Sequence, residues 1–350
     1  MRTSITFGGA GGTGEDWPDV VDYVREAERL GVDFAWSAEA WGQDAVTSVA
    51  WLAAVTSRIR LGTGIMQITA RVPPMIAMTA LSLDRMTGGR FVLGLGVSGP
   101  QVVEGLHGVP FARPVERLRE TLDIVEMGLR GERIAYQGRH FTLPLPGGEG
   151  KAIALSNASR PDLPVYLATL APRALELTGE RAQGWLGTSF VPDRADVFFE
   201  PLARGAARAG RTLADLDLQA GGRLRITDEV DETVAQLKPA MAFQLGGMGS
   251  AATNFYNDAF RRAGWEEAAR EVQRLWLDRR RDEAAAAVPD DLILRSNLIG
   301  TPAMVRERIR LYRDAGVTTL RLSPIGDTDA ERLDQLGQAL DLGVGAPEEI

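Results

Sequence analysis

The sequence has no cysteine and only two histidines, His107 and His140, among its 350 residues. Disulfides and thiolate-held metals are therefore excluded, and so is any site of several histidines. Carboxylates are left as the only metal ligands, and no metal is expected. Positive charge is not in surplus either: 39 Lys+Arg stand against 47 Asp+Glu, a net charge of −8. That balance argues against nucleic acid as a partner, because duplex binding rests on clustered Lys and Arg. No run approaches the roughly 18 apolar residues of a membrane helix, and Met1–Gly14 has no apolar core of signal-peptide length. These absences predict a cytoplasmic protein that acts on a small molecule and not on nucleic acid or membrane.

What is present is a repeated strand–helix unit. Thr3–Phe7 alternates like a short strand and Gly8–Gly14 breaks it. Trp17–Leu30 then places Val20, Val21, Val24, Ala27 and Leu30 at helical spacing before Gly31. Strands are predicted at Val32–Ser37, Ile59–Gly64, Phe91–Leu95, Pro164–Ala168, Gly184–Thr188, Asp217–Ile226 and Val317–Leu322. Helices are predicted between them, including Asp44–Thr56, Pro73–Met86, Pro114–Leu129, Ala171–Arg181, Asp193–Ala209 and Pro302–Ala315. Alternating strands and helices imply parallel pairing. About eight units match a (β/α)8 TIM barrel, with an open doubly wound sheet as the alternative. A single domain over residues 1–350 is expected. Two segments break its rhythm: a Gly- and Pro-rich excursion at 130–162, with a short hairpin near Gln137-Gly138, and a helical insertion at 246–290 before the last unit. The insertion reads either as a layer on the barrel wall or as a lid or dimer surface.

Several strand ends carry candidate chemistry. Gly94-Leu95-Gly96-Val97-Ser98-Gly99 satisfies G-x-G-x-x-G, yet it ends the fourth strand and meets Pro100 instead of opening a helix. A dinucleotide fingerprint is therefore disfavoured, and the glycines read as close backbone approach to a ligand or tight strand packing. Glu39 follows the second strand, where barrel carboxylates are commonly functional; Asp44 reads as a helix cap, and Trp41 as a wall for a flat ring. Gly62 and Gly64 end the third strand with a bulge or a close contact. Ala171-Pro172 opens a helix whose N-terminus suits an anion. No Gly-x-Ser-x-Gly elbow surrounds Ser98, and a triad would have to use His107 or His140. His107 remains a possible acid/base group, and His140 reads as a surface residue.

Leu83-Asp84-Arg85-Met86-Thr87-Gly88-Gly89-Arg90 through Gly96, continuing to Ser98-Gly99-Pro100 and Pro114-x-x-Arg117, resembles the luciferase-like flavin and deazaflavin oxidoreductases. The Leu61–Gly64 strand, Gly300-Thr301-Pro302 and Ala315-Gly316-Val317 also match, so the likeness covers nearly the whole chain. Gly246–Gly249 with Asn254-Phe255-Tyr256 is similar to the coenzyme F420-dependent branch, which includes methylenetetrahydromethanopterin reductase.

The resemblance implies a barrel that holds F420 near Glu39, Ala40 and Trp41, with a non-prolyl cis peptide at Gly64–Ile65. Gly96, Val97, Ser98 and Gly99 would meet the ring or its ribityl chain, and Ala168, Thr169, Leu170 and Ala171 the phosphate side. Glu39 is then the candidate proton-handling or ring-orienting residue, and relatives usually form dimers or higher assemblies. Several relatives carry a histidine beside that acidic residue, where this chain has Glu39-Ala40-Trp41, and Pro100 stands where the sugar-phosphate dehydrogenase of the same branch has an acidic residue. Hydride transfer of the methanopterin-reductase type, which needs no histidine, fits these departures. An FMN-dependent monooxygenase and a non-catalytic flavin or deazaflavin binder are the alternatives.

Overall fold

The structure, a computed structural model, describes residues 1–8 and 17–344; the expected glycine-rich break after the first strand lies largely outside the described residues. Eight strands close a ring: β1 (Arg2–Gly8), β2 (Phe34–Ala38), β3 (Arg60–Thr63), β4 (Phe91–Gly96), β5 (Val165–Ala168), β6 (Gly184–Leu186), β7 (Asp217–Ile226) and β8 (Thr319–Pro324). Every neighbouring pair is parallel, and β8 returns to β1 through Arg2 opposite Thr319. The architecture is the (β/α)8 barrel, not the open sheet.

The outer helices follow the chain's punctuation. Pro opens α3 (Pro73–Met86) and α4 (Pro114–Leu129) in the first turn, where its missing N–H costs nothing, and Gly88-Gly89 and Gly131 follow their ends with positive φ. Asp44 caps α2 (Ala45–Val55), its carboxylate accepting from the amides of Val46 and Thr47. Between helices and strands lies one large apolar layer that includes Ile5, Ala35, Leu61, Leu93, Leu95 and Leu167. The alternate residues Phe34, Trp36, Val92, Tyr166 and Leu186 form a separate cluster and fill the barrel's interior.

Beneath this plug lies a buried polar knot. Asp217 accepts from the hydroxyls of Thr318 (2.6 Å), Thr319 (2.7 Å) and Tyr166 (2.9 Å), from the Gln219 amide (2.9 Å) and from Arg2 (2.9 Å). Gln219 in turn accepts from the Trp36 indole at 2.9 Å, which links the plug to the same carboxylate.

In the excursion, Tyr136–Gln137 pairs antiparallel with Thr142–Leu143. Buried Glu120 fastens this hairpin by accepting the backbone amides of Arg139, His140 and Phe141. The His140 side chain is only 8% exposed, so it is packed in and not a surface group. Helices also precede residue 246: Val230–Gly246 is helical despite Pro239 in its interior, with Val234, Met241, Ala242 and Leu245 buried. With Phe255–Phe260, Glu266–Leu277, Arg281–Ala286 and Asp290–Ser296 it builds a second apolar core. Leu298–Gly300 then pairs with the upper part of β7 before α7 (Pro302–Asp314) and β8. Among the described residues no helix is long and apolar enough to cross a membrane.

Candidate active site

A cavity of about 1150 Å3 opens at the C-terminal ends of the strands. One wall is a shelf of main chain. β3 ends at Thr63, the Gly64–Ile65 peptide is cis, and Met66–Gln67 resumes pairing against Leu95 and Gly96 of β4. Two glycines make this closeness possible. A Cβ on Gly94 would stand 1.8 Å from the Thr63 carbonyl oxygen, and one on Gly96 would stand 2.8 Å from the Ile65 side chain. The G-x-G part of the motif thus packs one strand tip against the next. Ser98 then adopts φ 58° and Gly99 precedes the short helix Pro100–Gly105. Ala40, Trp41, Gly64, Ile65, Gly96, Val97, Ser98 and Gly99 all line the cavity. Trp41 lines the cavity with 53% of its surface exposed.

Glu39 lies against this shelf, and its carboxylate is fully engaged. Oε1 accepts from Arg71 Nη1 at 2.8 Å and from the Gln67 amide at 3.0 Å, and Oε2 accepts from the Ala45 amide at 3.2 Å. The Gln67 side chain returns the contact by donating to the carbonyls of Glu39 (3.2 Å) and Ala40 (3.1 Å). The loop after β2 is thereby clasped to the segment after the cis peptide, and Arg71 compensates the buried charge.

Ala168, Thr169, Leu170 and Ala171 line the far end of the shelf. Their loop is pinned from behind. The Trp185 indole donates to the Thr169 carbonyl (2.9 Å), Arg262 donates to the Leu170 carbonyl (2.7 Å), and the Thr169 hydroxyl pairs with that of Thr178 (2.7 Å). The Thr169 side chain is therefore spent inside the fold, and what this loop offers the cavity is backbone. Ala171 caps α5 (Pro172–Arg181) without a side-chain bond, leaving the positive end of the helix dipole toward the shelf.

His107 does not line the cavity. Its Nδ1 lies 2.8 Å from the Thr69 hydroxyl; burial pushes its pKa down, Glu39 opposes this and Arg71 adds to it. The opposite wall comes from β7, β8 and the helical block: Arg223, Arg321, Met241, Gln244, Met248 and Tyr256 among others. The short helix after the shelf meets the segment before Phe255–Phe260 where Gln101 donates to the Gly249 carbonyl. Sequence reasoning missed the two arginines. The signal available was a lone Arg321 between the apolar positions Leu320 and Leu322 in the last strand.

A family model described as luciferase-like monooxygenase matches residues 1–319. A putative coenzyme F420-dependent oxidoreductase of Mycobacterium tuberculosis is 40% identical over 307 residues, covering 85% of this chain and 88% of that protein. The 5,10-methylenetetrahydromethanopterin reductase of Methanopyrus kandleri is 27% identical over 335 residues, covering 91% of this chain and 93% of its own. The solved structure of the coenzyme F420-dependent tetrahydromethanopterin reductase from Methanopyrus kandleri superposes with a TM-score of 0.78 at 24% identity, covering 97% of each chain, a likeness of fold. With the barrel, the shelf and these matches together, the chain belongs to the luciferase-like monooxygenase family and is an oxidoreductase.

Proposed function

We propose that the protein is a coenzyme F420-dependent oxidoreductase that moves a hydride between the deazaflavin and an organic substrate held in the same cavity. The observation that carries the reading is the apolar main-chain shelf along one side of a cavity of about 1150 Å3, above the roughly 300–1,000 Å3 of an ordinary small-molecule site. The residues fit the cofactor. Trp41 offers a large, half-exposed aromatic side chain, and nothing lies within 4 Å of where a Cβ on Gly99 would stand. The opening of α5 offers backbone N–H and dipole to a phosphate.

When bound, the deazaflavin donates or accepts a hydride at C5. The chain's part is to hold both partners in contact and dry, where most of the gain in such transfers arises. Ile65 and Val97 would support the ring, Trp41 would flank it, and Ala168–Ala171 would receive its charged tail. Phe243, Met248 and Phe255 on the opposite wall exclude water. Glu39 acts as a brace: with three N–H donors on its oxygens, it positions the shelf and does not carry a proton. His107 lies off the lining, so the acceptor is one that needs no histidine, as in the reductase reading.

Titrating the full-length protein with F420 and with FMN tests this, followed by oxidation of reduced F420 across imines, enones and carbonyl compounds. Saturable F420 binding with substrate-dependent oxidation is expected. Saturation by FMN alone would support the monooxygenase alternative, and F420 binding without turnover on any acceptor the non-catalytic one.

A further inference from the structure

Across the cavity from the shelf, a recess of about 160 Å3 opens between β7 and β8 and shares Thr188, Gln244, Asn297, Arg223 and Arg321 with the main cavity. Its frame is built from engaged groups. Gln244 donates to the Ser189 hydroxyl (2.8 Å), and Asn297 donates to the Ile293 carbonyl (2.8 Å) while its own oxygen accepts the Arg223 backbone amide (2.8 Å).

The two guanidinium groups are not engaged. Among the described residues neither side chain has an ion pair or hydrogen bond. Arg321 rises from the middle of β8 between Leu320 and Leu322, both fully buried, and so faces into the barrel. Among the described residues the only other charged side chain on the cavity wall is Glu39, across the barrel and neutralised by Arg71. A chain with net charge −8 thus places two guanidinium groups on this cavity's wall, that of Arg321 half-buried and that of Arg223 exposed at the rim, with no counter-ion among the described residues. For Arg321, partly withdrawn from water, the lack of a counter-ion is unfavourable unless a ligand supplies the anion. Burial indeed pushes the Arg321 pKa down, with the Tyr312 and Tyr256 hydroxyls opposing.

We propose that this recess is an anion subsite: the substrate carries a carboxylate or a phosphate that Arg321 receives in a two-point contact, with Arg223 at its rim. The assignment rests on the cofactor reading above, which gives the facing wall to the substrate. The recess is wide enough for a planar or tetrahedral anion, and a planar fork of donors is suited to either.

Calorimetric titration of the F420-loaded protein with inorganic phosphate and with benzoate, in chloride-free buffer, tests it. Binding of at least one anion is expected, and the preferred one identifies the substrate's group. Arg321→Gln should weaken that anion by about tenfold or more and Arg223→Gln by less, while F420 affinity changes less than about twofold. Arg321→Lys, which keeps the charge without the fork, should fall between, and it decides the matter if the glutamine variant does not fold. No binding of either anion, or binding unaltered by the Arg321 variants, overturns the proposal. So does a loss of F420 affinity in Arg321→Gln as large as the loss of anion affinity, since Arg321 would then serve the cofactor's own phosphate. If the wild type fails to bind F420, the cofactor reading falls, and the same titration on the unloaded protein still decides the subsite.

Discussion

Arg71 and Glu39 meet at 2.8 Å at the edge of the shelf, with side chains 20% and 8% exposed. The pair joins the loop after β2 to the segment that follows the cis peptide. Glu39→Gln places an NH2 group against at least one N–H donor and leaves Arg71 half-compensated. It should lower stability by about 2 kcal/mol and weaken cofactor binding with it. The pH profile of turnover should keep its shape, as it would not if Glu39 transferred a proton. Urea unfolding and a pH–rate series on the same variant separate the two roles.

Gly94 and Gly99 belong to one motif but face different surroundings. Gly94→Ala brings a Cβ against the Thr63 carbonyl and should cost about 3 kcal/mol or more, seen as a low melting temperature or as insoluble protein. Gly99→Ala enters open space at φ −117° and should keep stability within about 0.5 kcal/mol while altering ligand affinity. Equal stability losses at both positions would contradict this division.

His107 should make stability fall on acidification. Its folded pKa is depressed, by burial first, from the ordinary value of 6.5, so the unfolded chain takes up a proton that the folded chain resists. Stability therefore drops as pH falls through 6.5 and levels off below the folded value. Against His107→Gln, the wild type should show this extra drop in melting experiments between about pH 7.5 and 5.5; matching curves would refute it.

The knot at Asp217 should matter for folding and not for turnover. Asp217→Asn turns a donor toward Thr319, Thr318 or Tyr166 and unbalances Arg2, a loss of about 3 kcal/mol. Tyr166→Phe removes one hydroxyl from the knot and should cost about 1–2 kcal/mol. Chemical denaturation measures both, and kcat per folded molecule should stay near wild type.

Most of the barrel was legible because its helices are punctuated: Pro at the start and Gly at the end put α3 and α4 at their observed bounds. Val230–Gly246 was hidden by Pro239, which breaks the pattern expected of a helix although Val230, Val234, Leu237, Met241 and Leu245 keep its spacing. The shelf was legible from small residues at strand ends. The bonding of Glu39 was not, since Arg71 reaches it from a loop far along the chain. Nor was the place of His107, whose loop position says nothing of which way the ring turns. Arg223 and Arg321 are 98 positions apart (321 − 223), and only closure of β7 onto β8 brings them to one recess.

At Leu224, β7 still pairs with β8 on one edge and takes up Leu298–Gly300 on the other, the edge that holds β6 lower down. The polypeptide that leaves after Ile226 therefore comes back on the adjoining rung, and the whole helical block between them hangs from two neighbouring staves. Its outline can be redrawn, by exchange with the equivalent block of a relative, without sliding any stave past the next. Which molecules the mouth admits is thus separable from how the barrel is held closed, and a graft bounded by these two strands is where a change of clientele could be engineered.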